Sequence, residues 1–308
     1  MAEGLKMFYA RHERKNKKVI QVSEIRPEDR DALLCQFCDA KITWVDSYQR
    51  MGRTIPAHLR LWPKATHGSE CKNRVKSAVK ALVAQSQNIE DDKSIFAEDK
   101  TGYVFRMNML IEASFDATKA RKAHDEAIDP ADKERKRIQY HRAEKKLTDY
   151  FNSAAGVAKI RARIEDSADK KELGELVKIA FHKNTISWND FFFDEERYPI
   201  LFKKADKIKH PVAIALTVKS IKKVKSDFIS LKGEECHVPT GEELKDYFSP
   251  EITTNIENMF EHINPGDELI VVGWVKSSIR EWKHITYKNI TFRLSRKKQF
   301  SKINEEFY

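Results

Sequence analysis

The chain has 308 residues, of which 41% are apolar and 34% are charged, and its formal net charge at pH 7 is +10. This composition excludes an intrinsically disordered chain, and the length predicts more than one domain. No run of residues approaches the ~20 apolar side chains that span a bilayer. Residues 1 to 6 lack the basic and apolar parts of a secretory signal. We therefore expect a cytoplasmic protein without a membrane segment.

The first segment predicts a β-hairpin followed by a metal site. Residues 7–10 and 19–22 are apolar and flank a basic turn. Cys35 and Cys38 are two residues apart in the spacing of a metal knuckle, and His67 and Cys71 follow at a separation of four. Four ligands with no open position predict a structural zinc ion. The alternative is a set of ordinary buried cysteines in a reduced protein.

A helix is predicted to leave this site, because apolar residues recur at intervals of three and four after Cys71. We assign residues 1–86 to a zinc-binding module of hairpin and helix. Residues 87–100 are polar and acidic and predict a linker, and residues 103–110 predict a strand or an apolar entry to the middle segment.

The middle segment, residues 101–184, predicts a helical domain, with a helical pattern from about 117 to 181. Asp129 and Pro130 are typical of a helix start, and Ser153 predicts the start of another helix. Basic residues between Lys133 and Lys146 favour a solvated face with pairs such as Asp132–Lys136. Contact with phosphates is the alternative for these cations.

The last segment, residues 185–308, predicts a basic, β-rich domain. Alternation over 212–219 indicates a half-buried strand, and residues 228–231, 269–275 and 285–294 indicate three more. An acidic helix is predicted over 241–262, and the turn Asn264 to Asp267 follows it. The fold class is therefore α+β, ending in a mainly antiparallel sheet or a barrel like the oligonucleotide-binding (OB) fold, with one helix.

Charge is sorted by segment within this domain. Residues 203–232 hold nine Lys or Arg against two acids, residues 234–268 hold one against ten, and residues 276–302 hold nine against one. Basic strands with interleaved aromatic rings are typical of single-stranded nucleic-acid binding, because cations pair with phosphates while rings stack on bases. The candidate binding residues are Lys219, Lys222, Lys223, Lys225, Trp274, Lys276, Arg280, Trp282, Lys283, Tyr287, Lys288 and Arg293. In the alternative, Trp274 and Phe292 are core residues and the lysines form a solvated rim.

An aromatic cluster runs from Trp188 to Phe202. Its density predicts a buried seam between the helical and β-rich domains rather than a stacking platform. A protein partner that binds this cluster and the acidic helix is the basis of an adaptor alternative.

The order of hairpin, Cys35 and Cys38, apolar strand, Gly52, His58 and late Cys71 resembles the zinc-finger-like domain of bacterial competence-protein CoiA-like families. The resemblance covers about residues 5 to 75. Those families carry a His-Phe-x-His stretch where this chain has His58 to Leu61, and Leu61 replaces the second histidine. The resemblance makes His58 a candidate metal ligand beside His67. It also implies a setting in bacterial DNA uptake, mobile elements or defence against phage.

A nuclease domain often follows in those families and requires two carboxylates and a lysine around a divalent ion. The nearest candidates are Asp190, Asp194 and Glu195 with Lys219, at a spacing that matches no motif. Phosphate-binding glycine loops and a Ser-His-Asp arrangement are absent from the sequence. We predict a non-enzymatic, zinc-containing protein that binds single-stranded DNA or RNA, with an adaptor and a divergent metal-dependent nuclease as alternatives.

Overall fold

A computed structural model describes residues 4–50, 53–87, 95–165, 167–225, 228–239, 245–282 and 285–304. Its helices are α1 (Val75–Gln87), α2 (Met107–Asp125), α3 (Pro130–Ala162), α4 (Ser167–Leu176), α5 (Trp188–Phe191) and α6 (Tyr198–Lys204). Its strands are β1 (Tyr9–His12), β2 (Lys18–Gln21), β3 (Leu33–Cys35), β4 (Ile42–Val45), β5 (Tyr48–Arg50), β6 (Arg53–Ile55), β7 (His58–Leu61), β8 (Phe96–Glu98), β9 (Tyr103–Arg106), β10 (Val177–Phe181), β11 (Asn184–Ile186), β12 (Phe192–Phe193), β13 (Val212–Lys225), β14 (Phe228–Gly233), β15 (Cys236–Pro239), β16 (Lys245–Thr254), β17 (Glu268–Gly273), β18 (Val275–Trp282), β19 (Ile285–Leu294) and β20 (Phe300–Lys302). Among these described residues, no helix has both the length and the apolarity that crossing a membrane requires.

The predicted N-terminal hairpin is confirmed. Strands β1 and β2 pair antiparallel, and β3 adds to the other edge of β1. Asn16 and Lys17 turn the chain with φ angles of 51° and 55°, a left-handed conformation that asparagine tolerates better than most residues. The apolar sides of these strands and of β4 and β7 form a small core of their own.

Helix α1 follows the cysteine-rich segment as predicted, but its apolar face packs into a larger central core with α2, α3 and α4. The side chain of Asp129 caps α3 by accepting a hydrogen bond from the amide of Ala131 at 2.9 Å. The expected second helix start at Ser153 is wrong. The Ser153 hydroxyl bonds to the carbonyl of Asp149 one turn earlier, so α3 continues without a break for 33 residues.

The basic stretch of α3 is a solvated face held by neighbouring acids, in agreement with the favoured interpretation. Asp132 contacts Lys136 at 2.6 Å and Arg135 at 3.0 Å, and Glu134 contacts Arg137 at 2.6 Å. Exposed pairs of this kind add little to helix stability, because water and salt screen them.

The central segment is not entirely helical, which corrects the expectation for residues 177–181. These residues form β10, which pairs in parallel with β9 in the four-stranded sheet β11-β10-β9-β8. Buried Val177 and Ile179 alternate with exposed Lys178, the period of a strand. Residues 96–98, expected in a linker, form β8 of the same sheet. The boundaries proposed for the three domains remain predictions.

The C-terminal segment forms a large sheet in the order β18-β19-β16-β14-β13-β17-β20. Strand β16 pairs in parallel with β19, and the other pairs along this order are antiparallel. In this order, β17 and β19 are separated by β13, β14 and β16. Their side chains nevertheless pack in one core with those of β13 and β16. The sheet therefore curves around its own apolar side.

The predicted acidic helix over 241–262 is wrong where the structure describes it. Residues 245–254 form strand β16, and the chain continues through turns before the Asn264–Asp267 turn. Pro250 disfavours a helix interior, and Ile252, Thr253 and Thr254 are β-branched. Residues 241–244 lie outside the described residues.

The predicted turn at Asn264 is confirmed. Its amide donates to the carboxylate of Asp267 at 2.8 Å, and the amide of Asp267 donates back to the carbonyl of Asn264 at 3.1 Å. Gly266 has a φ of +90°, which favours glycine.

The aromatic cluster lies between the two larger cores, as predicted. Phe191 and Phe192 belong to the central core, whereas Phe193 and Tyr198 belong to the C-terminal core. Tyr198 is 2% exposed, and its hydroxyl donates to the carbonyl of Ala215 in β13 at 2.7 Å.

We expect Tyr198→Phe to lower the free energy of unfolding by about 1 kcal/mol, because the partly buried carbonyl of Ala215 loses this donor. Urea denaturation measures the change. The control is Tyr140→Phe on α3, whose ring stacks on His124 near the surface and which should change stability by less than about 0.5 kcal/mol. Equal stability of Tyr198→Phe and the original protein would contradict the assigned role of the hydroxyl.

Candidate metal centre and sheet face

Four side chains of the N-terminal module converge on one point. The Sγ atoms of Cys35, Cys38 and Cys71 and a ring nitrogen of His67 all lie within 4.8 Å of one another. Cys35 Sγ is 3.6 Å from Cys71 Sγ, and His67 Nδ1 is 3.4 Å from the sulfurs of both Cys38 and Cys71. This group could hold a metal ion.

Local backbone structure brings the two halves of the group together. Cys35 ends β3, and Cys38 lies in the loop that follows it. The guanidinium of Arg11 on β1 donates to the carbonyls of Cys35 and Cys38 at 2.9 and 2.7 Å, which fixes this knuckle. His67 and Cys71 precede α1, and the amide of Cys71 closes a turn onto the carbonyl of Gly68 at 3.0 Å.

The buried thiols of Cys35 and Cys71 are coupled. The hydrogen bond between them lowers the pKa of Cys35 to about 3 and raises the pKa of Cys71, since one proton is shared between two sulfurs. The amide of Phe37 and the side-chain amide of Asn73 also donate to Cys35 Sγ, at 3.4 and 3.3 Å. Such N–H donors favour the thiolate form, which is the form that binds metals.

His58 is not part of this group, so its assignment as a candidate ligand is corrected. It lies in β7, where its Nδ1 bonds to the carbonyl of Pro56 at 3.2 Å and its Nε2 is 3.5 Å from Glu165. Burial is the main cause that lowers the pKa of His58 to about 4. The position of β7, and not the spacing along the chain, separates His58 from the cysteines.

Gly4 packs directly against the imidazole of His67. A Cβ atom at Gly4 would lie 2.9 Å from both Cδ2 and Nε2 of His67, and Gly4 has a φ of +120°, which other residues rarely adopt. The amide of Gly4 donates to Asp169 of α4 at 2.6 Å. Glycine at this position is therefore needed both for its backbone conformation and for space beside the ring.

A second candidate site is the outer face of the C-terminal sheet, on the side away from its core. In β18 and β19, directly paired residues share a face, and Ile290 and Phe292 point into the core. The alternate residues therefore point outward. Those from the predicted nucleic-acid set are Lys276, Arg280, Trp282, Tyr287 and Arg293, and Lys222 of β13 points the same way.

Other members of the predicted set do not join this face as free cations. Lys219, at a bulge of β13, forms an ion pair with Glu235, which raises the pKa of Lys219. Lys223 is 4.0 Å from Glu257. Lys288 points to the inner side, where it pairs with Asp246 and lies against the ring of Phe248.

Three further members of the predicted nucleic-acid set are Trp274, Lys225 and Lys283, and the structure says less about where their side chains lie. Trp274 is 52% exposed, which excludes the alternative that it is a core residue, and it precedes β18 at the end opposite Trp282. The side chain of Lys225 and all of Lys283 lie outside the described residues. Their predicted role in nucleic-acid binding stays a prediction.

An aromatic row that the sequence analysis missed crosses this outer face. Tyr247 of β16 pairs with Tyr287 of β19 on one side and with His237 of β15 on the other. The ring centroids of Tyr247 and Tyr287 are 5.8 Å apart, and those of His237 and Tyr247 are 5.9 Å apart. Arg280 pairs with Tyr287 and extends the row onto β18. Tyr247 was assigned to an acidic helix, which concealed its place in a strand.

The carboxylates considered for a nuclease do not form a comparable group. Asp190 bonds to Ser187 and Lys204 at 2.8 and 2.7 Å, and Glu195 is 3% exposed. Among the described residues, the group of Cys35, Cys38, His67 and Cys71 is the one in which three or more His, Cys, Asp or Glu side chains bring their donor atoms within 4.8 Å of one another.

We expect Cys35→Ser and His67→Ala to reduce bound metal strongly, because each removes one of four ligands. His58→Gln should retain the metal of the original protein, because His58 lies outside the group. Elemental analysis of the purified variants measures this. Loss of metal in His58→Gln with retention in His67→Ala would reverse the assignment.

We expect Gly4→Ala to weaken metal binding by roughly tenfold, since a displaced His67 ring holds the ion less well. Competition with a chelator measures the affinity. Gly266→Ala is the matched control: Gly266 also has a positive φ, and a Cβ there has nothing within 4 Å. It should lower stability without changing metal affinity, and an equal effect of both variants on the metal would contradict the prediction.

Comparisons with known proteins do not identify a family for this chain. No protein-family model matches the chain, and no curated protein matches it. Among solved structures, the chain is similar to the small single-stranded DNA-binding protein from Streptomyces coelicolor, with 9% sequence identity, 27% of this chain and 85% of that chain covered, and a TM-score of 0.19. A TM-score of this size does not establish a shared fold.

Proposed function

We propose that this protein binds single-stranded nucleic acid on the outer face of its C-terminal sheet and that a zinc ion stabilises its N-terminal module. The observation that carries the proposal is the row of Arg280, Tyr287, Tyr247 and His237 across four adjacent strands. Rings at this spacing on an open sheet face offer flat surfaces to unpaired bases.

The pairing of the strands supports an OB-like barrel as the scaffold. Strand β13 pairs with β14 along part of its length and with β17 along the rest, and β16 pairs in parallel with β19. We propose that β13, β14, β16, β17 and β19 form such a barrel, extended by the hairpin of β18 and β19. In OB-fold proteins, oligonucleotides bind on an exposed face of the strands.

The charges around the aromatic row are suited to a phosphate backbone. Lys276 and Arg293 lie on the same outer face, and Lys232 of β14 is on a neighbouring strand. The structure describes outward-facing residues on β13, β14, β16, β18 and β19, and among them Glu251 is the one with a carboxylate side chain. This carboxylate accepts a hydrogen bond from Ser230 at 2.5 Å. The face is therefore positive around rings that can stack.

The spacing of the cysteine and histidine donors supports zinc as the ion. A tetrahedral ion with bonds of about 2.3 Å to sulfur and about 2.0 Å to nitrogen places its ligands roughly 3.5–3.8 Å apart. The observed separations of 3.4 and 3.6 Å are close to this range. Three cysteines and one histidine form a donor set typical of structural zinc, which serves folding and not catalysis.

The two alternatives from the sequence have lost their main supports. The adaptor hypothesis relied on an acidic helix and on the aromatic cluster from Trp188 to Phe202, but residues 245–254 form a strand and Phe191, Phe192 and Phe193 are buried. The nuclease hypothesis relied on carboxylates near Lys219, which is paired with Glu235. From the CoiA-like resemblance alone we propose a bacterial setting in DNA uptake, mobile elements or defence against phage.

The test of binding is a salt titration with fluorescent single-stranded DNA, duplex DNA and RNA of equal length. We expect tight binding of a single strand and weaker binding of the duplex, whose bases cannot reach the rings. The logarithm of the binding constant should fall with the logarithm of salt at about −0.7 per phosphate contacted. A flat salt response, or equal affinity for duplex and single strand, would contradict the proposal.

Variants of the aromatic row locate the site. We expect Tyr247→Ala and Tyr287→Ala each to cost about 1–3 kcal/mol of binding free energy, the range for one stacked base. Trp62→Ala is the matched control, because Trp62 is 42% exposed and belongs to the N-terminal module, not to a strand of the C-terminal sheet. Fluorescence anisotropy measures the affinities, and equal losses in all three variants would show that the row is not the binding site.

A further inference from the structure

Asn73 is a buried polar residue between the metal-type side chains and the end of α3. It is 4% exposed and lies two residues after Cys71. Its side-chain NH₂ donates to Cys35 Sγ at 3.3 Å. Its side-chain oxygen accepts a hydrogen bond from the guanidinium of Arg163 at 3.2 Å. Both ends of the amide therefore have a partner of the correct polarity.

Arg163 is itself held firmly. It is the C-cap of α3, and its backbone amide lies 3.2 Å from the carbonyls of both Lys159 and Ile160. Its side-chain Nε donates to the carbonyl of Lys6 at 2.7 Å, and the amide of Lys6 donates to the carbonyl of Arg163 at 2.8 Å. The guanidinium thus approaches Asn73 from a fixed direction.

This arrangement determines which way the amide of Asn73 points. If the amide were reversed, its NH₂ group would face the guanidinium and its oxygen would face the sulfur. Both contacts would then be unfavourable, since a guanidinium carries only donors and a thiolate only accepts. The cation at the end of α3 therefore directs an N–H donor at Cys35.

We propose that Asn73 is a positioning residue of the metal centre, which holds the Cys35 thiolate through an N–H···S hydrogen bond and is oriented by Arg163. The proposal rests on the metal-binding part of the proposed function and is independent of nucleic-acid binding. Groups that hydrogen-bond to metal ligands fix their orientation and tune their basicity, and loss of one commonly costs 10- to 100-fold in metal affinity.

One consequence is a physical link between the metal and the long helix. The hydrogen bonds from Cys35 through Asn73 to Arg163 join the N-terminal module to the carboxyl end of α3. The backbone amide of Leu5 adds a further hydrogen bond, to the carbonyl of Asn73 at 3.0 Å. An ion that orders Cys35 should therefore also order the last turn of α3.

The test uses the full chain with Zn²⁺ and with Co²⁺, whose sulfur-to-metal absorption reports on the thiolates. Asn73→Asp is the informative variant, because it keeps the size of the side chain and the acceptor for Arg163 but removes the N–H donor to Cys35. We expect Asn73→Asp and Asn73→Ala to bind metal about 10- to 100-fold more weakly, with a shifted Co²⁺ absorption. Lys76→Ala, on the exposed side of α1, is the control and should match the original protein.

Hydrogen exchange at Arg163 supplies a second measurement. We expect metal removal to speed exchange of its amide in the original protein, and we expect this effect to be smaller in Asn73→Ala, where the link is broken.

The outcomes distinguish a failure of the role proposed for Asn73 from a failure of the metal centre. Original affinity and absorption in Asn73→Asp would overturn the proposal, even if Cys35→Ser loses the metal as expected. Retention of metal by Cys35→Ser would instead overturn the metal centre itself. If Asn73→Ala fails to fold, Asn73→Asp carries the test, since it preserves the contact with Arg163.

Discussion

Strand β13 is buried on both sides over its first half, and this constraint determines which part of the C-terminal sheet has an open face. Val212, Ile214 and Leu216 point into the core of the C-terminal sheet, while Ala213 and Ala215 point to the central core around α3. Small alanine side chains allow a helix to approach the sheet closely. Because α3 packs against this part of β13 and β17, the outer face described above lies on β14, β15, β16, β18, β19 and the second half of β13.

The metal group and the sheet face depend on different parts of the chain and on different physical effects. The group at Cys35 is formed by short loops whose backbone is fixed by Arg11 and by the turn before α1. The sheet face is formed by long-range strand pairing, which aligns Tyr247 with Tyr287. Metal removal should therefore loosen the N-terminal module without directly changing the aromatic row.

Local patterns allowed part of this structure to be predicted. The spacing of the cysteines, Asp129 before Pro130 and the alternation after Val212 each depend on neighbouring residues, and each corresponds to the structure. The choice between His58 and His67 required the third dimension, because β7 turns His58 away from the sulfurs. The pairing of β9 with β10 joins residues more than seventy positions apart and leaves no local pattern beyond alternation.

The largest error, at β16, has a specific cause. Its acidic neighbours suggested a helix, but charge is a weak indicator of secondary structure. The sequence signals of a strand here are Pro250, which disfavours a helix interior, and the alternation of Phe248, Pro250 and Ile252 with the polar residues Ser249, Glu251 and Thr253. Once residues 245–254 are placed in a strand, Tyr247 becomes part of the outer face proposed for binding.

Strand β18 ends the order of the large sheet, and its position has a consequence for solubility. An edge strand presents backbone donors and acceptors to which a second copy of the chain can add its own strand. Lys276, Arg280 and Glu281 place three charges along β18, where Ile279 and Trp282 are also exposed. Charges of this kind discourage two edges from joining, so these cations act against edge-to-edge association of two copies as well as contributing to the proposed binding face.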